Sequence, residues 1–131
     1  FRNNENTKIE KLEDKIAYST CVMAMNMDAD AILCYTHTGD SARRLAGLGA
    51  GCPILAITDN RRTFNQLAIV WNVTPIYVER VSSIDKVIED GIAKLKDKEI
   101  IEKGDMIVIA GGAKLLNNAE ESQIVGGIAK I

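Results

Sequence analysis

A single histidine, His37, stands in the whole 131-residue chain. A Ser-His-Asp or Cys-His nucleophilic site, or any histidine-based zinc site, would have to use that one ring. Cysteine is equally thin. Cys21, Cys34 and Cys52 are odd in number, far apart and each set in an apolar stretch rather than in a C-x-x-C pair. That pattern fits reduced packing residues and excludes a disulfide framework. No apolar run approaches the roughly 18 residues of a membrane-spanning helix. The opening F-R-N-N-E-N-T-K lacks the apolar core of a secretory leader, so the expected location is cytoplasmic. Charge of one sign is missing too: 16 Lys and Arg face 18 Asp and Glu, for a net charge of −2. Without a basic field, neither nucleic acid nor an anionic membrane is an expected partner. Internal repeats and low-complexity tracts are absent.

What is present is a core. With 47% apolar and 26% charged residues, the chain fits one domain that buries about two-thirds of its unfolded surface without a metal or disulfide staple. Residues 1–7 are polar and read as a frayed end or linker remnant. From Lys8, the positions Ile9, Leu12, Ile16, Thr20, Met23 and Met27 recur at helical spacing. The middle of this helix is apolar nearly all round, which calls for cover on more than one side. Residues 31–35 form a first buried strand, followed by a turn and a helix from Asp40 or Ser41 to about Leu48. The run G-L-G-A-G after it closes a helix and precedes a strand, the reverse of a dinucleotide fingerprint, so it reads as a cap and turn.

Residues 53–57 are a second strand, ended by Thr58-Asp59-Asn60, any of which can cap a helix from Arg61 to about Val70. Phe64, Leu67, Ala68 and Trp71 are its expected inner side, and Asn72 suits a left-handed helix end. Residues 74–79 form a third strand. Ser82 with Asp85 resembles a capping box for a helix carrying Ile84, Val87, Ile88, Ile92 and Leu95. A fourth strand, residues 106–110, ends at Gly111-Gly112, and a loop of about ten residues leads to a last strand at residues 123–131. Alternating helices and buried strands predict an α/β fold with a mainly parallel sheet. The short last connection makes the final strand antiparallel.

Ligands gather beyond the carboxyl ends of parallel strands, where the loops 36–41, 58–62 and 111–122 should meet. The first is the most informative: Thr36, His37, Thr38, Gly39, Asp40 and Ser41 lie between a strand and a helix. The first N–H groups of a helix lack partners and carry about half a positive charge, so such a junction suits an anion. Thr36, Thr38 and Ser41 add hydroxyls, and Gly39 admits close approach. His37 is a turn residue that helps an anion only when protonated. Arg43 and Arg44 are expected in surface or interface salt bridges. Asp28 and Asp30 mark a helix end and strand start, since a calcium loop needs further carboxylates. No acid/base pair suited to a stand-alone enzyme emerges from these loops, so whether the domain alone is an enzyme stays open.

The series A-I-L-C-Y-T-H-T-G-D-S-A-R-R-L-A, C-P-I-L-A-I-T-D-N, Q-L-A-I-V-W-N-V-T-P and K-G-D-M-I-V-I-A-G closely resembles the C-terminal domain of pyruvate kinase, over about residues 12–128. The resemblance implies a three-layer α/β/α sandwich with a five-stranded mixed sheet in order 3-2-1-4-5, the last strand antiparallel. It implies an allosteric and subunit-contact domain without catalytic residues. The partners it implies are the rest of a pyruvate kinase chain, further copies in a homo-oligomer, and a phosphorylated effector such as fructose 1,6-bisphosphate. The parent enzyme would move phosphate from phosphoenolpyruvate to ADP in glycolysis, with magnesium and potassium in a separate barrel and no cofactor in this domain.

In that family the T-x-[ST]-G-x-[ST] turn holds the effector phosphate, and four of its six positions keep a suitable residue here. Lys114, Asn117 and Asn118 fall in a possible second effector loop. Departures are visible: Asp40 stands where an Arg is common, His37 where a Lys often is, and Gly51-Cys52-Pro53 lacks the usual Arg. These favour a single phosphate over a bisphosphate. T-H-T-G-D-S also resembles the phosphate turn of flavodoxins, whose alternative reading is a free-standing FMN-binding protein. Against it stand the long helix before the first strand and the lack of Trp or Tyr in the loops after the third and fourth strands.

Overall fold

The computed structural model describes residues 4–79, 83–110, 123–125 and 128–130. Helix α1 (Asn4–Asn26) opens the chain, starting ahead of Lys8, so residues 4–7 of the expected frayed end are helical. Strand β1 (Ala31–Tyr35) follows, then α2 (Asp40–Gly47), β2 (Ile54–Thr58), α3 (Arg61–Leu67), β3 (Val73–Tyr77), α4 (Ile84–Asp97), β4 (Met106–Ile109), β5 (Gln123–Val125) and β6 (Ile128–Lys130).

The sheet order is β3-β2-β1-β4-β6-β5. Strands β3, β2, β1 and β4 are mutually parallel, while β6 runs antiparallel to β4, with Ile107 opposite Ala129, and β5 antiparallel to β6. The sheet is therefore six-stranded, and the single last strand expected at residues 123–131 is two short ones. In the sequence a Gly-Gly pair separates these two triplets, a two-residue spacing that favours a hairpin over one continuous strand.

Because side chains alternate across a strand, β1 feeds two cores. Ala31 and Leu33 join Leu55, Ile57, Ile76, Ile107 and Ile109 beneath α4, where Val87, Ile88, Ile92 and Leu95 complete the layer. Ile32 and Cys34 join Ile54, Ala56 and Val108 on the opposite face, against Ala17 and Ala24 of α1, Ala42 and Leu45 of α2, and Leu67 of α3. Strands covered on both faces explain the continuous apolar runs. Cys34 is fully buried, and burial pushes its thiol up to about 12; all three cysteines are free.

Three local expectations change. The face α1 lays on the sheet carries Ala17, Thr20 and Ala24, while Leu12, Ile16 and Met27 of the expected stripe are exposed together with Tyr18 and Met25. Small residues face inward because they let the helix approach closely, and the large ones stand outside. Helix α3 stops at Leu67 rather than Val70; Ala68 is exposed and Trp71 is 77% exposed, so both leave the inner side, which Thr63 and Leu67 form. The cap of α4 is Ser83, whose hydroxyl accepts from Lys86 N at 3.3 Å, not Ser82. Asn72 is left-handed, with φ 65°, and its side-chain amide donates to Cys52 O at 2.9 Å.

Candidate functional site

Strand β1 ends at Tyr35, and the chain turns sharply before α2. Gly39 makes that turn with φ 93°, a left-handed conformation costly for a residue with a Cβ. Thr36 is buried, and its hydroxyl accepts from Gly39 N at 2.7 Å; Thr38 Oγ1 accepts more weakly from Asp40 N at 3.3 Å. Two of the turn's hydroxyls thus shape the loop. The N-cap residue Gly39 has no side chain to cap α2, so beyond Asp40 N its first-turn N–H groups keep the polarity that attracts an anion. Asp40 sits in that first turn and is exposed, as is Ser41.

The loop after β2 comes alongside, as the parallel pairing of β1 with β2 requires. His37 Nδ1 lies 3.0 Å from Asp59 Oδ1; an ionised carboxylate only accepts, which assigns the proton to Nδ1. Tyr35 donates its hydroxyl to the other oxygen, Asp59 Oδ2, at 3.2 Å. Thr63, from the first turns of α3, donates to His37 O at 2.6 Å. The Asp59 side chain is 4% exposed and that of His37 56%. Burial by itself raises the Asp59 carboxyl, but donation from His37, Tyr35 and its own N–H, with the His37 charge, outweighs that and holds it below the usual carboxylate range. Asn60, alone of the three capping candidates, closes α3 by accepting from Arg62 N at 3.0 Å and Thr63 N at 3.4 Å.

The two arginines part ways. Arg44 pairs with Glu13, at 3.0 Å, and with Asp14, tying α2 to α1. Arg43 makes no salt bridge among the described residues; it folds back along the turn, donating to Thr38 O at 3.1 Å and Gln66 Oε1 at 3.4 Å. A Cβ on Gly39 would lie 2.5 Å from Arg43 Nη1. The guanidinium therefore rests directly on the glycine of the turn. Sequence spacing places Arg43 one turn into the helix but cannot show this reversal.

Thus residues 36–41 and 58–62 do converge. Lys114, Asn117 and Asn118 lie outside the described residues, as does the rest of the loop 111–122. Asp30 accepts from Met106 N at 2.8 Å, a strand-start role. Among the described residues no group of three or more His, Cys, Asp or Glu could hold a metal, so the magnesium and potassium implied for a parent enzyme find no ligand set there. No helix among them is long and apolar enough to cross a membrane.

Comparison with known proteins adds the family. The model of the family "Pyruvate kinase, alpha/beta domain" matches residues 14–122. A pyruvate kinase of Clostridium acetobutylicum is 32% identical over 99 residues, covering 76% of this chain and 21% of that protein. One from Bacillus licheniformis is 33% identical over 102 residues, covering 78% and 17%. Among solved structures, a pyruvate kinase from Cryptosporidium parvum superposes with a TM-score of 0.73 at 24% identity, over 90% of this chain and 22% of that one. A second structure from the same organism gives 0.68 at 26% identity, over 75% and 20%. The chain spans about a fifth of the length of such relatives. The flavodoxin-like alternative is not favoured. With the turn, the strand order of the parallel sheet and the family match in agreement, the chain belongs to the pyruvate kinase alpha/beta domain family.

Proposed function

We propose that this chain is the effector-binding and subunit-contact domain of a pyruvate kinase, and that the 36–41 turn receives one phosphate group of a small phosphorylated effector. The observation that carries the reading is the turn itself: a left-handed Gly39 locked by Thr36, leading into a helix whose N-cap residue offers no side chain to its first-turn N–H groups. Ser41 and Thr38 supply hydroxyls beside it, and Arg43 supplies a cation already lodged at the glycine. Asp40 in the first turn repels a second negative group, which favours a monophosphate over a bisphosphate.

The parent enzyme, on this reading, is a cytoplasmic, glycolytic phosphotransferase that passes phosphate from phosphoenolpyruvate to ADP, with magnesium and potassium held in a catalytic domain elsewhere in its chain. The apolar residues that α1 turns outward, Leu12, Ile16, Tyr18 and Met25, support contact with another domain or a second subunit.

Isothermal titration with ribose 5-phosphate, glucose 6-phosphate, AMP and fructose 1,6-bisphosphate tests the site, beside a Thr38→Ala and Ser41→Ala double variant. Saturable binding of a monophosphate, lost in the variant, is the expected result. Absence of binding by all four compounds would refute the effector role and leave a contact domain.

A further inference from the structure

We infer that anion binding at the 36–41 turn takes up a proton at His37, making His37 a proton-coupled ligand and Asp59 the residue that positions its ring. The inference rests on the phosphate reading above. It starts from the charges around the ring. The loop before α3 contributes Asp59, bonded to Nδ1 at 3.0 Å. Strand β1 contributes Tyr35, which donates to the same Asp59 carboxylate. Helix α2 contributes Asp40 in its first turn and Arg43, whose guanidinium is on Thr38 O. Helix α3 contributes Thr63, on the His37 carbonyl, exposed Arg62, and Arg61, which stacks 4.2 Å over the Tyr77 ring instead.

Around the turn, then, two carboxylates, Asp40 and Asp59, face one cation that touches it, Arg43; Arg44 also acts on Asp40 but is held by Glu13 and Asp14. With neutral His37 the two carboxylates outnumber that cation, which is hostile to a dianion; with imidazolium they no longer do. Asp59 is buried, and its carboxyl is held ionised by the groups that donate to it, so it does not relieve the repulsion by taking up a proton itself. His37 can. Its Nδ1 is committed to Asp59, which leaves Nε2 to gain the proton on a half-exposed ring. Binding that takes up one proton weakens as pH rises, by at most about tenfold per pH unit.

The test uses the 131-residue chain and sodium sulfate, a dianion that does not itself titrate near neutrality. His37 is the only histidine, so its ring signals in an NMR spectrum report one site without ambiguity. Sulfate is titrated at constant ionic strength at pH 6, 7 and 8, following the backbone amides of residues 39–41 and the His37 ring. The expected result is an affinity that falls from pH 6 to pH 8, by up to about tenfold per unit, with saturating sulfate driving the ring signals toward their protonated positions.

His37→Lys, a permanent cation over this range, should bind with no pH dependence, and His37→Gln should bind weakly at every pH. Amides that respond with one affinity at all three pH values would overturn the proton coupling while leaving the phosphate turn in place. If those amides show no saturable response at any pH, the phosphate reading itself fails and the coupling with it.

Discussion

Gly91 offers a prediction whose sign is decided by the tertiary structure against local propensity. It lies in the interior of α4, where replacing Gly by Ala ordinarily stabilises a helix by about 1 kcal/mol. Here the added Cβ would fall 2.3 Å from Ile57 Cδ1, 2.7 Å from Cγ1 and 3.1 Å from Cγ2, against a comfortable carbon contact of about 3.5–4.0 Å. Moving the terminal methyl relieves one of the three contacts. Cγ1 and Cγ2 share a Cβ, so a χ1 change exchanges one clash for the other. Ile57 is fully buried in β2, in one cluster with Leu55, Ile76 and Ile88. Overpacking of this kind costs about 1–3 kcal/mol, and a 2.7 Å contact on the β-branched stem of a buried side chain places it toward the upper end.

Gly91→Ala should therefore destabilise by about 1–2 kcal/mol net, read as a urea midpoint shift with unchanged m-value and a fall in Tm of roughly 3–10 °C. In an Ile57→Ala background the same change should turn neutral or stabilising, since the opposing atoms are gone. Gly47→Ala, where an added Cβ meets nothing within 4 Å, serves as the control and should not destabilise. A Gly91→Ala protein that melts at or above the parent would refute the packing argument.

Asp59→Asn probes the polar side of the same strand end. The folded carboxyl sits below its usual range, so its contribution is fully present above the unfolded value of about 3.9 and fades as pH falls through the lower folded value. The parent should hence melt higher than Asp59→Asn at pH 6, the two curves converging toward pH 2; a constant gap across that range would contradict the assignment. Asn60→Ala removes the cap that serves two N–H groups of α3 and should cost about 0.5–2 kcal/mol, measured by urea denaturation, with Asn60→Asp restoring most of it.

The parallel core was legible because its strands are covered twice. Residues 31–35, 54–58 and 106–109 carry almost no polar side chain, and only a sheet with helices on both faces uses such runs. The turn was legible from Thr36, Gly39 and Ser41, whose types suit a tight strand-to-helix junction wherever it occurs. Other features were hidden for physical reasons. In α1 the periodicity marks an apolar helix, but small and large residues compete for the inner face; close packing gave it to Ala17, Thr20 and Ala24. Trp71 reads as core by hydrophobicity, yet α3 ends one turn earlier and carries it outside.

By itself, then, the sequence determined the alternation of helices with parallel strands as far as β4, the family and the residue types of the 36–41 turn, because these follow from hydrophobic period, caps and local backbone preference. Only the tertiary structure decided which groups those residues meet. His37 and Asp59 are 22 positions apart, and parallel pairing of β1 with β2 brings their strand ends together. Arg43 could have reached a neighbouring carboxylate but lies on Gly39. Electrostatic balance at a site is a sum over distances, and those distances come from pairing and packing across the chain rather than from spacing along it.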